Sequence, residues 1–539
     1  MWHKPVLAAV GYSLTLLLLT GCDDGPPARS PITTRPPVTA RPGAQVAAKP
    51  KVEPVAAPKK DEFNFSKEVS AIERPLDTAS PRFDDNRPGA RGNMPQVPAV
   101  NRLAVEVRDA LKVRNTLVIW VLDRTSGPEV RSDATNATEL FYRDAGRPVG
   151  DKRPNTLYTA VVMYADKPEF LTKEPVSSEA DARTALAGVT PTTGAANTFS
   201  AVKQAVDEYS ALRGKLQCQT IMVLVSTKGG DDLGKDNVNV DAAVNALKKD
   251  DIPLFALGAS TPFSQAAATG LKGQVTESHD WERIDMAYPG NGSDSDLTDT
   301  GFPPFAIGRL CNNSGGQFFA ERPMVGSMPV QVDSSYFHKY APDYVSEEKY
   351  RQILSGNRAK AALVRAAREG GHVDVLNMRT SYNFFKNGSE ADFNKAITNN
   401  QQDSARIDGP INRLLQMLQA GESDRKNIKE PRWQANFDLA IGRAYAAKAR
   451  VEGLDDIMAT LKGKAFKNAD SKQWLIMAAP TTSSISAVDN MVKKAHMYLE
   501  RVVKEHPNTP WAISAERELG RKGFDKIEQY NLGWELSEK

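Results

Sequence analysis

The strongest constraint on this chain is an alternation running from residue 115 to residue 320. Short apolar runs of strand length are separated by segments with helical periodicity. Asn115-Thr116-Leu117-Val118-Ile119-Trp120-Val121-Leu122 is largely apolar on both of its alternating faces and ends at Asp123. Such a run suits a parallel strand covered by helices on either side. Val130, Ala134, Ala137 and Phe141 recur at helical spacing. The same reading predicts strands over Leu157–Tyr164, Thr220–Val225, Pro253–Leu257 and Gln317–Ala320. Helices are predicted over Leu103–Val113, Thr198–Tyr209 with Asn197 as cap, Val240–Leu247 and Phe305–Cys311, the last stopped by Gly315-Gly316. Strand–helix alternation implies a doubly wound, mostly parallel sheet with helices on both faces. Ligands of such sheets bind at the carboxyl ends of the strands.

Composition narrows the function. Lys and Arg number 69 against 66 Asp and Glu, so overall charge gives no reason to expect a nucleic-acid partner. Three cysteines, Cys22, Cys218 and Cys311, are too few for a disulfide scaffold or a cysteine-only zinc site. The six histidines are scattered, and HExxH, GxSxG, Walker A and GxGxxG motifs are absent. No convergent set of acids, bases and nucleophiles can be assembled. The expectation is a protein that is not an enzyme and carries no cofactor.

The first 22 residues read as an export signal. Lys4 supplies the positive charge, and Pro5 to Leu19 is an apolar run of about 15 residues, short of the roughly 20 a bilayer span needs. Leu19-Thr20-Gly21-Cys22 resembles a bacterial lipobox, which implies lipidation of Cys22. Asp23 and Asp24 resemble a signal for retention at the inner membrane. The expected location is therefore extracytoplasmic, anchored on the periplasmic side of that membrane. Residues 23–100 hold 14 of the 34 prolines and lack apolar periodicity, as a disordered tether does.

Four segments carry a family resemblance. Asp123-Arg124-Thr125-Ser126-Gly127 follows the first strand. Gly194-Ala195-Ala196-Asn197-Thr198 precedes a helix. Ser226-Thr227-Lys228-Gly229-Gly230 follows a central strand, and Leu310–Phe319 closes the unit. In this order they resemble the von Willebrand factor type A (vWA) domain over about residues 115–322, which implies an α/β domain spanning residues 101–322. The resemblance implies a metal-ion-dependent adhesion site, in which five oxygen-bearing side chains hold Mg²⁺ or Mn²⁺. Here Asp123 and Thr125 match that set. Gly127, Ala196 and Lys228 stand where a hydroxyl, a threonine and an aspartate belong, and Thr198 remains nearby. Ser126 is one position off and is expected to point elsewhere. Asp231 and Asp232 follow on the same loop and are open as substitutes. The expectation is a degenerate site without metal, with the Lys228 ammonium in the cation's place beside Asp123 and Thr125. The competing readings are a metal-dependent adhesin of the same fold and, third, an enzyme of unknown class.

Residues 261–304 form an insertion, read as a polar loop overhanging the strand ends. It includes the acidic stretch Gly290–Asp299, which lacks the spacing of a calcium loop. Residues 323–539 read as an all-α domain. Ile441-Gly442-x-x-Tyr445 and Ala495–Pro507 resemble the two helices of a tetratricopeptide repeat, and Pro510 opens another helix. If Cys22 is lipidated, Cys218 and Cys311 are left, expected as buried free thiols with a disulfide as the alternative. The expected partners are a protein and, through the lipid anchor, a membrane.

Overall fold

The computed structural model describes residues 99–145, 154–261, 263, 282–284, 286, 300, 302–322, 338–369, 381–385, 389–462, 473–479, 486–520 and 532–538. The signal segment with Cys22, nearly all of the tether, and the Gly290–Asp299 stretch lie outside the described residues.

Helix α1 (Ala99–Val113) leads into β1 (Thr116–Asp123). Then follow α2 (Glu129–Ala145), β2 (Leu157–Tyr164), β3 (Pro168–Phe170), α3 (Glu179–Ala187), α4 (Thr198–Tyr209), the short α5 (Leu212–Leu216) and β4 (Gln219–Val225). Next come α6 (Val238–Lys249), β5 (Leu254–Ala259), α7 (Phe305–Ser314) and β6 (Phe318–Arg322). The sheet order is β3-β2-β1-β4-β5-β6, parallel throughout except for the antiparallel edge strand β3. This is the expected vWA-like α/β core.

The period of two in β1 explains its double burial. Leu117, Ile119 and Val121 pack with α4, α6 and α7 on one face. Val118, Trp120 and Leu122 pack with α1, α2 and α3 on the other. Trp120 stacks on Phe141 of α2 at 5.7 Å. Parallel pairing in register brings the carboxyl ends of β1, β2 and β4 to one edge, with Asp123 level with Tyr164.

The rest is a largely α-helical region. It comprises α8 (Glu347–Ser355), α9 (Arg358–Glu369), α10 (Glu390–Glu422), α11 (Pro431–Leu461), α12 (Ser486–Glu505) and α13 (Pro510–Glu518). Thr509 caps α13 and Pro510 opens it, as the sequence indicated. Trp433, Trp511 and Tyr445 are core residues, and Tyr445 of α11 stacks on Tyr498 of α12 at 6.2 Å. The region also carries an antiparallel sheet, β7 (Ser381–Phe385), β8 (Gln473–Ala479) and β9 (Gly533–Glu538), in the order β7-β8-β9. These strands come from three distant stretches of sequence, so local patterning did not reveal them.

The described residues of the insertion do not simply overhang the strand ends. Phe263, Met286 and Phe302 belong to the apolar core of the helical region.

Candidate functional site

The site is built at the end of β1. Asp123 is fully buried, and its carboxylate accepts four hydrogen bonds. The amide and hydroxyl of Thr125 donate to Oδ1 at 2.9 and 2.7 Å. The hydroxyls of Ser126 and Ser226 donate to Oδ2 at 2.5 and 2.7 Å. The Thr125 amide contact is an Asx-type turn, which folds the chain over the carboxylate it follows. Four donors satisfy a buried carboxylate that would otherwise be costly to desolvate.

Each hydroxyl that donates to Asp123 also accepts from an N–H group. Thr125 Oγ1 receives Lys228 Nζ at 2.7 Å. Ser126 Oγ receives the Thr227 amide at 3.0 Å, and Ser226 Oγ the Lys228 amide at 3.0 Å. Lys228 thus reaches Asp123 through the Thr125 hydroxyl. Among the described residues it forms no direct ion pair with that carboxylate, which differs from the contact expected.

Ser126 corrects a second expectation. Its hydroxyl points onto Asp123, in the role assigned by position to residue 127. Gly127 sits at φ +110°, and a Cβ there would meet the Glu129 carboxylate at 2.6 Å. The turn therefore requires glycine at 127 and places its hydroxyl one residue earlier. Ser226 was missed altogether. Its signal was a polar residue directly after an apolar strand that flanks β1.

Neither Ala196 nor Thr198 hydrogen-bonds to Asp123. Thr198 is fully buried, with its hydroxyl 3.0 Å from the Tyr164 phenol oxygen and 3.3 Å from Ala196 O. Burial, and then the nearby Asp123 charge, hold the Tyr164 phenol well above its ordinary range. Asp231 accepts the Ala196 amide at 2.7 Å and returns its own amide to Ala196 O at 2.8 Å. Asp232 accepts the Phe199 and Ser200 amides at 3.0 and 2.8 Å. It thereby caps α4 from another loop, the task assigned to Asn197, whose side chain makes no cap bond. Both carboxylates hold the 194–200 loop to the 226–232 loop.

A divalent cation is the group the fold implies here. The donor set does not fit one. The side chains of Ala196 and Gly127 bring no oxygen, both loop aspartates are engaged by amides, and an ammonium rests on the Thr125 hydroxyl. A second positive charge at that oxygen opposes a cation. Among the described residues, no group of three or more His, Cys, Asp or Glu side chains is placed to hold a metal ion.

Cys218 and Cys311 are both buried free thiols, so the disulfide alternative is not formed. Burial raises the pKa of both. Among the described residues, no helix is long and apolar enough to cross a membrane.

No family model matches this chain, and no curated protein matches it. Among solved structures, it is similar to proximal thread matrix protein 1 from the mussel byssus with a zinc-occupied MIDAS motif. The identity is 19% and the TM-score 0.21, covering 28% of this chain and 38% of that one. It is also similar to an aerotolerance-related membrane protein from Bacteroides fragilis NCTC 9343, at 13% identity and TM-score 0.23, covering 38% of this chain and 90% of that one. A third is a mutant PilB minor pilin from Streptococcus sanguinis, at 9% identity and TM-score 0.24, covering 38% and 57%. The chain spans less than two fifths of the mussel protein's length.

Proposed function

We propose that this chain is a membrane-tethered, non-enzymatic protein-binding or scaffolding module whose strand-end site works without metal. The observation that carries this reading is the Lys228 ammonium, 2.7 Å from Thr125 Oγ1, above a carboxylate already satisfied by four donors. In such a site the loops are held together by hydrogen bonds and by one positive charge, where a metal-dependent relative would use the cation. Lys228 is only half-buried, so it is open to a protein partner at the carboxyl edge. The anchor is the lipidated Cys22, followed by the proline-rich tether, on the periplasmic side of the inner membrane.

Cross-linking on intact membranes tests the binding reading, comparing the parent with Lys228→Glu. A partner captured by the parent and lost with Lys228→Glu supports it. Capture that ignores Lys228 but is abolished by a chelator favours the metal-dependent adhesin instead. The anchor is tested separately by Cys22→Ser and fractionation. Unchanged processing and membrane retention of that variant would remove the lipid anchor from the account.

A further inference from the structure

We infer that the described residues between β5 and α7, Thr261, Phe263, Glu282, Arg283, Met286 and Thr300 among them, act as a clasp that couples the strand-end site to the helical region. The connection starts beside the site. Ser226, whose hydroxyl holds Asp123, donates its amide to Leu257 O of β5 at 3.1 Å. The next residue, Gly258, lies so close that a Cβ there would be 2.3 Å from Ser226 O. The end of β5 cannot shift without displacing Ser226.

Just past β5 the chain is closed into a neck. The Thr261 amide donates to Phe302 O at 2.9 Å and the Thr300 amide to Thr261 O at 2.9 Å. The two threonine hydroxyls are 2.8 Å apart, and both residues are buried. Beyond the neck, every described residue engages the helical region or another part of the clasp. The Phe263 ring meets Trp511 of α13 edge-on at 5.3 Å, with the Arg283 guanidinium 4.3 Å from the Phe263 ring centroid. Glu282 pairs with Arg432 of α11 at 2.8 Å, and both side chains are at most 2% exposed. Arg443 of α11 donates to Met286 O. Ile284 packs against the same core.

Separating Glu282 from Arg432 breaks a buried ion pair, so undocking of the clasp is costly. When it is seated, the neck fixes the end of β5 and β5 fixes Ser226. By linkage, occupation of the strand-end loops and seating of the clasp then alter each other by the same factor.

Hydrogen exchange on the full chain tests this, comparing the parent with Phe263→Ala and Leu418→Ala. Leu418 is buried in α10 within the same helical core and is not a clasp residue. Phe263→Ala is expected to speed exchange about tenfold or more in peptides covering residues 123–127 and 226–232, while Leu418→Ala leaves them at the parental rate. Parental rates in Phe263→Ala would overturn the inference, and so would equal acceleration in Leu418→Ala. Should Phe263→Ala fail to fold, Phe263→Leu carries the same comparison. The readout involves neither metal nor partner, so it stands apart from the proposed binding function.

Discussion

The Lys228 ammonium lies 2.7 Å from the Thr125 hydroxyl oxygen, and that hydroxyl spends its proton on Asp123. The cation and the buried carboxylate are therefore joined through one oxygen and not in direct contact. Removing Lys228 leaves Asp123 with all four of its donors. Lys228→Met is expected to cost about 0.5–1.5 kcal/mol, the worth of one hydrogen bond. It should not reach the roughly 3–5 kcal/mol of an abandoned buried charge. Urea unfolding of the purified variant reads this directly, and a loss above 3 kcal/mol would contradict the relay.

Restoring the five ligand positions by sequence alone is expected to fail. In Gly127→Ser, Ala196→Thr, Lys228→Asp, the new serine must occupy φ +110°, which L side chains rarely adopt, and displace the Glu129 carboxylate. Ala196 is fully buried, so threonine there overpacks the loop. Backbone strain of this kind costs about 1–3 kcal/mol per residue. The triple variant should melt below the parent and gain no Mn²⁺-dependent rise in melting temperature. A clear rise would show that the turn can re-form around a cation.

Both described thiols should be silent in the native protein. Cys218 and Cys311 are buried, and burial disfavours the reactive thiolate. Alkylation by iodoacetamide should be absent in buffer and complete at both residues in denaturant. Fast labelling of either under native conditions, or a linked peptide pair on non-reducing mass spectrometry, would contradict this.

Acid should weaken the helical region through Glu518. Burial pushes its carboxyl up, but Arg450 and Arg443 outweigh that and hold it below the usual range. A carboxylate with a lowered folded pKa contributes stability above its unfolded value, near 4.3. That stability is lost as pH falls through the folded pKa. Glu518→Gln should therefore be less stable than the parent at pH 7, by about 3–5 kcal/mol. It should also show a shallower loss of stability as pH drops below about 4. Melts across pH 7 to 3 would expose the opposite outcome, parallel curves for the two proteins.

The α/β core was legible because each of its parallel strands is a contiguous apolar run, closed by a turn residue and followed by helical periodicity. Thr116–Asp123 and Leu157–Tyr164 were readable from pattern alone. The β7-β8-β9 sheet was not, since its strands pair across 54 to 96 residues of sequence and single segments carry no register. At the site, position-by-position matching identified Asp123, Thr125 and Lys228. It misplaced the second hydroxyl because the φ of Gly127 turns the chain so that Ser126 faces the carboxylate. Asp232 as the cap of α4 was hidden for a related reason, since a cap supplied from another loop leaves no local signature. The insertion read as a polar loop because its composition is polar. Among its described residues, Phe263, Met286 and Phe302 are nonetheless buried, together with the polar Thr261, Glu282, Arg283 and Thr300.

The central claim is that the strand-end site functions without metal, and titration calorimetry of the full chain with Mn²⁺ tests it most directly. The account predicts no saturable heat attributable to the site, and the same flat trace for Asp123→Asn. Micromolar Mn²⁺ binding by the parent that disappears in Asp123→Asn would contradict it and establish the metal-dependent adhesin.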